Sequence, residues 1–154
     1  MSATLAKIPY TSELGMTLDR VEGGEVRMTL PDGDRNRNLA GTVHAGLLFT
    51  FGETLAGVAA GLDTLERAFP FARRAEIRYR RPARGAVHGS ARVAPSEIGR
   101  VLEELARDER SELTVRVQLS GDDGEIVAEV DVDYAFRPHP QRPGENQPPG
   151  EQTT

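Results

Sequence analysis

The 154-residue chain contains no cysteine. This absence excludes disulfide bonds, thiolate catalysis and zinc sites built from cysteine, and it is compatible with a reducing compartment. Only three histidines occur, and they form no paired histidine or carboxylate motif, so we expect no metal site. Aromatic residues make up only 5 % of the chain and do not alternate with basic ones, which argues against stacking on nucleic-acid bases.

Long apolar runs and an excess of positive charge are also missing. The net charge is -5, which argues against nucleic acid as the main partner. The most hydrophobic segment, residues 47–62, is shorter than the roughly 20 residues that a membrane-spanning helix needs. The first 16 residues contain one lysine and no long apolar run, so they do not resemble a secretory signal. We therefore expect a cytoplasmic protein without a membrane partner.

The C-terminal segment, residues 138–154, differs in composition from the rest of the chain. It holds five of the ten prolines and shows no apolar periodicity. A segment with so few apolar residues cannot bury enough surface to offset the entropy lost on ordering. We predict one folded domain over residues 10–137, followed by a disordered, proline-rich tail over residues 138–154.

Most of the predicted domain alternates between apolar and polar residues with period 2, the pattern of half-buried strands. The Gly-Asp-Asp-Gly sequence at 121–124 predicts a hairpin turn between the last two strands. The six predicted strands cover residues 14–18, 26–30, 75–79, 87–93, 113–119 and 128–136.

Two segments have the pattern of helices. Residues 96–107 carry a single apolar stripe after Ser96, which predicts a surface helix capped by that serine. Residues 44–61 are apolar nearly all round, which predicts a buried helix, and Glu53 is their only charged side chain. The order of elements predicts an α+β fold, with an antiparallel sheet of about six strands wrapped around a long central helix. A sheet edge left open in such a fold favours a homodimer or a tetramer.

The start of the central helix carries a motif. Asn38, Gly41, His44, Gly46 and Glu53 stand at the spacing of the hotdog-fold acyl-CoA thioesterases. Within that superfamily the chain resembles the phenylacetyl-CoA thioesterase group, as a divergent member. That group has an asparagine, a glycine, then His-Gly-Gly, then an acidic residue nine positions after the histidine. The order of strands and helices agrees over residues 14–136.

The resemblance implies a hotdog fold and hydrolysis of a thioester without a metal or other cofactor, coenzyme A being part of the substrate. Backbone N–H groups of Ala45 and Gly46, at the positive end of the helix, would hold the thioester oxygen. In a dimer with antiparallel helices, Glu53 of one chain would face the helix start of the other, as nucleophile or general base. Ala45 departs from the motif, since it retains the N–H but adds a methyl group.

Several of these residues also have structural interpretations. Glu53 can be a buried carboxylate satisfied by the backbone or by an arginine, and partial burial would raise its pKa. Asn38 can be a turn residue of the loop before the helix or a polar group of the site. We interpret His44 as organising that loop rather than acting as an acid or base. His88 and His139 show no partner pattern in the sequence.

Other residues are candidates for substrate contacts. Phe49 fits either the core or an acyl pocket, as does Phe51, and Thr54 is adjacent to Glu53 but should point elsewhere on the helix. Gly57 stands where some related thioesterases have an assisting hydroxyl residue. The final candidates are basic residues that either form a solvated strand face or hold the phosphates of coenzyme A: Arg80, Arg81 and Arg84.

The sequence thus predicts an acyl-CoA thioesterase. The alternative is a non-catalytic hotdog module that binds acyl-CoA or a lipid-like ligand, a reading favoured by Ala45 and by the missing hydroxyl at Gly57. Pocket depth depends on packing, so the sequence identifies neither the acyl group nor the choice between coenzyme A and an acyl-carrier protein.

Overall fold

The computed structural model describes residues 8–139. Within this range the α+β prediction is confirmed, with six strands and a long central helix. The helices are α1 (Pro9–Glu13), α2 (Ala45–Gly61) and α3 (Pro95–Asp108), and a 3₁₀ turn covers Asp34–Asn36. The strands are β1 (Thr17–Glu22), β2 (Glu25–Leu30), β3 (Ala68–Tyr79), β4 (Val87–Arg92), β5 (Ser111–Gly121) and β6 (Ile126–Pro138).

The strands form one sheet in the order β1-β2-β4-β5-β6-β3, and every neighbouring pair is antiparallel. β3 pairs with β6 rather than with β4, so the chain leaves one edge and re-enters the sheet at its centre. The predicted hairpin between β5 and β6 is confirmed, and the Gly121 N–H donates to the Glu125 carbonyl at 3.0 Å. β1 and β3 are the two edges of the sheet.

Helix α2 packs on one face of the sheet, where the alternating residues of β2, β4, β5 and β6 form the core. Gly52 brings the helix close to β6, because a Cβ there would lie only 2.4 Å from Val130 Cγ2. The sequence predicted that α2 is buried on all sides, but only the face that packs on the sheet is fully buried. The opposite face, from Ala45 to Gly57, is exposed or half-buried. None of the helices within residues 8–139 has the length and apolar character needed to cross a membrane.

The bounds of four predicted strands agree with the structure to within two residues at each end, whereas the first and third strands differ by more. The first begins at Thr17 rather than at residue 14, because Leu14 ends α1 and Gly15 adopts a left-handed φ of 70°. β3 begins at Ala68 rather than at residue 75. Its added half contains Pro70, which interrupts the apolar alternation but is tolerated on an edge strand.

The two surface helices, α1 and α3, both differ from the prediction. α1 was not predicted, since five residues carry no helical period, although Pro9 suits the first position of a helix. α3 begins one residue earlier than predicted, with Ala94 at the N-cap, so Ser96 is not the cap. Instead the Glu97 carboxylate accepts a hydrogen bond from the Ala94 N–H at 3.1 Å.

The folded part extends past the predicted limit at residue 137. Pro138 pairs with Ala68 at the end of β6. His139, predicted to be without a partner, has its ring edge-to-face with Phe69 at 4.2 Å, and its Nε2 lies 2.6 Å from the Leu65 carbonyl oxygen. Residues 140–154, the rest of the predicted tail, lie outside the described residues.

Candidate active site

The loop before α2 is built around Asn36, a buried polar residue that is only 4 % exposed. Its Nδ2 donates to the Pro31 carbonyl at 3.0 Å, and its own carbonyl accepts the His44 N–H at 2.8 Å. These bonds join the end of β2 to the first residue before the helix. Sequence reasoning missed Asn36, because a loop rich in turn-forming residues does not indicate which of its polar side chains is buried.

Asn38 holds the next part of the same loop. Its Oδ1 accepts the N–H groups of Ala40 and Thr42 at 3.0 and 3.2 Å, and its Nδ2 donates to Thr42 Oγ1 at 2.9 Å. Both polar atoms of the side chain are therefore used within the loop. This geometry is that of a turn residue, the first of the two interpretations given by the sequence.

His44 is the N-cap of α2. Its Nδ1 accepts the Gly46 N–H at 3.0 Å, and its carbonyl accepts the N–H of Leu47 at 2.9 Å. The ring lies over Gly46, where a Cβ would come within 3.2 Å of it. His44 thus caps the start of the helix, a geometry compatible with the interpretation of this residue as organising the loop.

The cap changes the predicted set of N–H donors at the helix start. The N–H of Gly46 is engaged by His44, so it is not free to hold an oxygen, contrary to the prediction. The N–H of Ala45 has no acceptor among residues 8–139 and stays available. Tyr79 at the end of β3 secures this turn from the other side, because its hydroxyl donates to the Ala45 carbonyl at 2.9 Å.

Glu53 lies two helical turns further on, on the face of α2 turned away from the sheet. It lines a cleft of about 580 Å³ between α1, α2 and the start of β3, and among residues 8–139 it is the only charged side chain of the lining. Its carboxylate receives no hydrogen bond or ion pair from any residue of the described range. Burial in this apolar setting raises the pKa of Glu53. The structural interpretation, a carboxylate satisfied by the backbone or by an arginine, therefore finds no such partner among residues 8–139.

The other predicted helix residues divide between cleft and core. Phe49 and Thr54 both line the cleft with Glu53, although Thr54 was expected to point elsewhere. The cleft is wide enough to be lined by the neighbouring helix positions 53 and 54, so Thr54 contributes to it together with Glu53. Phe51 is fully buried and belongs to the core.

Tyr134 of β6 reaches the same part of the helix from below. Its hydroxyl donates to the Glu53 carbonyl at 3.2 Å, and it stands where a Cβ on Gly57 would lie 3.3 Å away. Burial, and then the negative charge of Glu53, raise the pKa of Tyr134. This contact joins residues 81 positions apart, so no local sequence pattern could have indicated it.

The predicted arginines are largely engaged elsewhere. Arg80 Nε donates to Glu129 at 2.7 Å, and Arg81 forms an ion pair with Asp123 at 2.9 Å. Arg84 is exposed and has no carboxylate partner in the described part of the chain. Of the three arginines predicted as candidate phosphate contacts, Arg84 alone has no ion pair among the described residues.

His88, expected to have no partner, lies on the outer face of the sheet. Its Nε2 is 2.8 Å from Asp122 and its Nδ1 is 3.1 Å from Thr29 Oγ1. Strand pairing brings these groups together, which the linear sequence does not reveal. Across residues 8–139, no three histidine, aspartate or glutamate side chains converge as metal ligands would.

A six-stranded antiparallel sheet packed against one long helix is the arrangement of the hotdog fold. The chain belongs to the family described as "Domain of unknown function (DUF4442)", whose match covers residues 1–135. The resemblance to hotdog-fold thioesterases is confirmed at the level of the fold by solved structures.

Solved structures agree with this assignment. PA5026 of Pseudomonas aeruginosa, described as a protein of unknown function and probable thioesterase, is 30% identical, with 90% of this chain and 93% of that one covered and a TM-score of 0.77. Thioesterase HI1161 of Haemophilus influenzae is 14% identical, with 88% and 87% covered and a TM-score of 0.72. The conserved protein PA5202 of P. aeruginosa is 23% identical, with 88% and 99% covered and a TM-score of 0.70. Among curated proteins none matches the chain.

Proposed function

We propose that the protein hydrolyses acyl-CoA thioesters and that Glu53 carries the reaction. The observation that supports this most directly is the unpaired Glu53 carboxylate in an apolar cleft. An ionisable group placed in such a setting without a partner is costly, and sites of this kind are frequently functional. The likeness to PA5026, itself described as a probable thioesterase, supports the same reaction class.

In the general-base form of the mechanism, Glu53 takes a proton from water as the water oxygen attacks the thioester carbonyl carbon. Negative charge develops on the carbonyl oxygen, which the free N–H of Ala45 stabilises. The C–S bond then breaks, and the proton held by Glu53 returns to the sulfur. The products are a carboxylic acid and a thiol. In the nucleophilic form, a Glu53 oxygen attacks the carbonyl carbon first, and the C–S bond breaks to release a thiolate that takes a proton from water. Water then cleaves the resulting anhydride, which releases the carboxylic acid and restores the Glu53 carboxylate.

The two groups of this mechanism come from different chains of a dimer. Ala45 and Glu53 of one chain are separated by eight residues, about 12 Å along a helix axis, too far to act on one carbonyl group. A second chain with its α2 antiparallel to the first would bring its helix start to Glu53. The unpaired β3 edge, with Phe69 and Phe71 about half exposed, is the surface we propose for this contact. Two such dimers could form a tetramer.

The cleft favours an apolar acyl group. Its lining is mainly aliphatic and aromatic, with Phe49 and Phe69 among its members, and no residue from 8 to 139 offers a cationic side chain there to a charged acyl group. Arg84 is the arginine we propose as a phosphate contact for coenzyme A, while the ion pairs of Arg80 and Arg81 would have to open. We propose no cofactor beyond coenzyme A as part of the substrate, and a cytoplasmic location.

The experiment measures thiol release from short, medium, long and aryl acyl-CoAs by the wild type, by Glu53→Gln and by a matched control. Glu103→Gln is the control, since it makes the same change on an exposed position of α3. We expect Glu53→Gln to lose about 10²–10⁴-fold in kcat while the control retains full activity. Full activity of folded Glu53→Gln would contradict the proposal.

A second candidate function is non-catalytic binding of acyl-CoA or a lipid-like ligand. One observation favours it: the Gly46 N–H is bonded to His44, so of the two N–H donors predicted at the helix start only that of Ala45 is free among the described residues. Calorimetric titration with a non-hydrolysable acyl-CoA thioether tests this function. Saturable binding by a wild type that turns over no thioester would support it, and efficient turnover would exclude it.

A further inference from the structure

Tyr134 and Gly57 form a matched pair next to Glu53. The Tyr134 side chain is 3 % exposed and rises from β6 toward the underside of α2. Its hydroxyl donates to the Glu53 carbonyl at 3.2 Å. That carbonyl belongs to the helix turn that carries the Glu53 side chain into the cleft. The bond therefore ties the position of this turn to a strand at the centre of the fold.

Gly57 supplies the room that this bond needs. A Cβ at position 57 would lie 3.3 Å from the Tyr134 hydroxyl oxygen, closer than most such contacts. Glycine inside a helix costs roughly 0.5–1 kcal/mol relative to alanine, so its presence in the interior of α2 calls for a local reason. The hydroxyl beneath it is such a reason.

We propose that Tyr134 is a positioning residue for Glu53. Its hydroxyl, which comes from β6, takes the place of the hydroxyl side chain that a serine or threonine at position 57 of the helix would have provided. This inference rests on the proposed thioesterase function. It accounts for the absence of a hydroxyl residue one turn after Glu53, the feature that favours a binding module at the level of sequence. The hydroxyl acts through the helix turn and touches no reacting atom.

Few other polar groups near Glu53 could position it in the same way as the Tyr134 hydroxyl. Within the described part of the chain, the only other titratable group that lines the cleft is Tyr10, which follows the first residue of α1. The Thr50 hydroxyl on the same helix face is already used, since it donates to the Gly46 carbonyl at 3.0 Å. Because burial and the charge of Glu53 both raise the pKa of Tyr134, its hydroxyl stays protonated and remains a donor throughout the neutral range.

The first test is Tyr134→Phe, which removes the hydroxyl and retains the buried ring. We expect kcat for the thioester hydrolysed by the wild type to fall about 10-fold, as for one lost hydrogen bond that orients a reacting group, while KM changes by less than about twofold. An unchanged kcat in the folded variant would overturn the inference. Gly57→Ala in the wild-type background approaches the same hydroxyl from the helix side and is expected to lower kcat in the same direction.

A rescue separates the hydroxyl from packing. A serine inside a helix can donate to the carbonyl four residues earlier, and for position 57 this carbonyl is that of Glu53. Thr50 and Thr64 already make this type of bond at the two ends of the helix region. We therefore expect Tyr134→Phe/Gly57→Ser to regain most of the lost kcat, and Tyr134→Phe/Gly57→Ala to regain none. Equal recovery in both double variants would assign Tyr134 a packing role and refute the inference.

A second readout does not depend on turnover. The pKa of the Glu53 carboxyl can be followed by ¹³C NMR of the glutamate-labelled protein, with Glu53→Gln identifying its signal. Loss of a nearby hydroxyl dipole should raise this pKa further in Tyr134→Phe, with reversal by Gly57→Ser and not by Gly57→Ala. If the wild type hydrolyses no thioester, the proposed function fails, yet this pattern would still support the positioning role. An identical Glu53 pKa in all variants would exclude it.

Discussion

At the scale of single residues, Glu53 combines a polar function with an apolar setting. Its side chain shares the cleft with Phe49 and Phe69, and no residue of the described range neutralises it. Burial therefore penalises the ionised form and raises the pKa of this carboxyl. A general base benefits from such a shift, because a pKa nearer to the working pH makes proton transfer from water more favourable.

The raised pKa has a consequence for stability. Below the pKa of unfolded glutamate, about 4.3, Glu53 is protonated in both states and folding carries no penalty. As pH rises through the higher pKa of the folded chain, the unfolded chain ionises more readily and stability is lost. We expect Glu53→Gln to unfold at a higher temperature than the wild type at pH 8, by a few degrees at most, and this difference to vanish below pH of about 4.

Thermal unfolding followed by circular dichroism across this pH range checks the expectation, with Glu103→Gln as the control for loss of one exposed carboxylate. A lower unfolding temperature for Glu53→Gln at pH 8 would count against it. That result would mean that the ionised carboxylate is stabilised in the folded protein, for example by a cationic group of a second chain.

At the scale of elements, the loop that precedes α2 determines what the helix start can offer. Asn38 Oδ1 accepts two N–H groups of this loop, and an aspartate at the same position can accept both. We expect Asn38→Ala to lose about 1–2 kcal/mol of the free energy of unfolding, whereas Asn38→Asp should retain most of it. Urea unfolding monitored by fluorescence of the tyrosines measures both.

The same pair of variants decides whether the Asn38 amide takes part in chemistry. If it serves only the turn, Asn38→Asp should retain kcat to within about threefold, well below the effect expected of a group acting in the transition state. A folded and stable Asn38→Asp with a kcat lowered 100-fold or more would place the amide group at the reacting atoms instead. Asn38→Ala alone would not separate the two roles, because it also loosens the loop.

The elements also show what the sequence could predict. Strand β5 alternates between buried and exposed residues along its whole length, and β6 alternates over residues 128–134, so their pattern predicts both strands well. β3 was only half predicted, because the edge strand tolerates Pro70 and exposes Phe71, which breaks the alternation. At the site, the motif placed Glu53 and His44, since both lie on one helix and its cap. The contact of Tyr134 depends on the fold as a whole, and no local pattern contains it.

At the scale of the whole molecule, the single chain leaves the β3 edge of the sheet unpaired, and it does not by itself bring together the two groups of the proposed site. β3 is 12 residues long and unpaired on its outer side, and an open strand of this length invites pairing with another chain. Within one chain, the helix start and Glu53 lie too far apart to act on the same carbonyl group. Both features are resolved if two copies associate about a two-fold axis, since each copy then supplies what the other lacks.

This arrangement can be tested by mixing two inactive variants. Glu53→Gln removes the carboxylate. Ala45→Pro removes the free N–H at the first position of α2, where proline is well tolerated, and His44 already has the extended backbone that precedes a proline. Each variant alone should form a folded dimer with activity lowered about 10²-fold or more. A mixed dimer contains one doubly defective site and one intact site, because its intact site takes Glu53 from one chain and the Ala45 N–H from the other.

After the two variants are exchanged through mild denaturation, random pairing places half of the chains in mixed dimers, so activity should return to about a quarter of the wild-type value. Sedimentation of the mixture confirms that dimers have re-formed, and each variant taken through the same treatment alone should stay inactive. No recovery in the mixture would contradict a shared site, since it would mean that both groups serve the same chain or that one has no role. Recovery near a quarter would instead require that every working site be built from two chains, with a helix start on one side and Glu53 on the other.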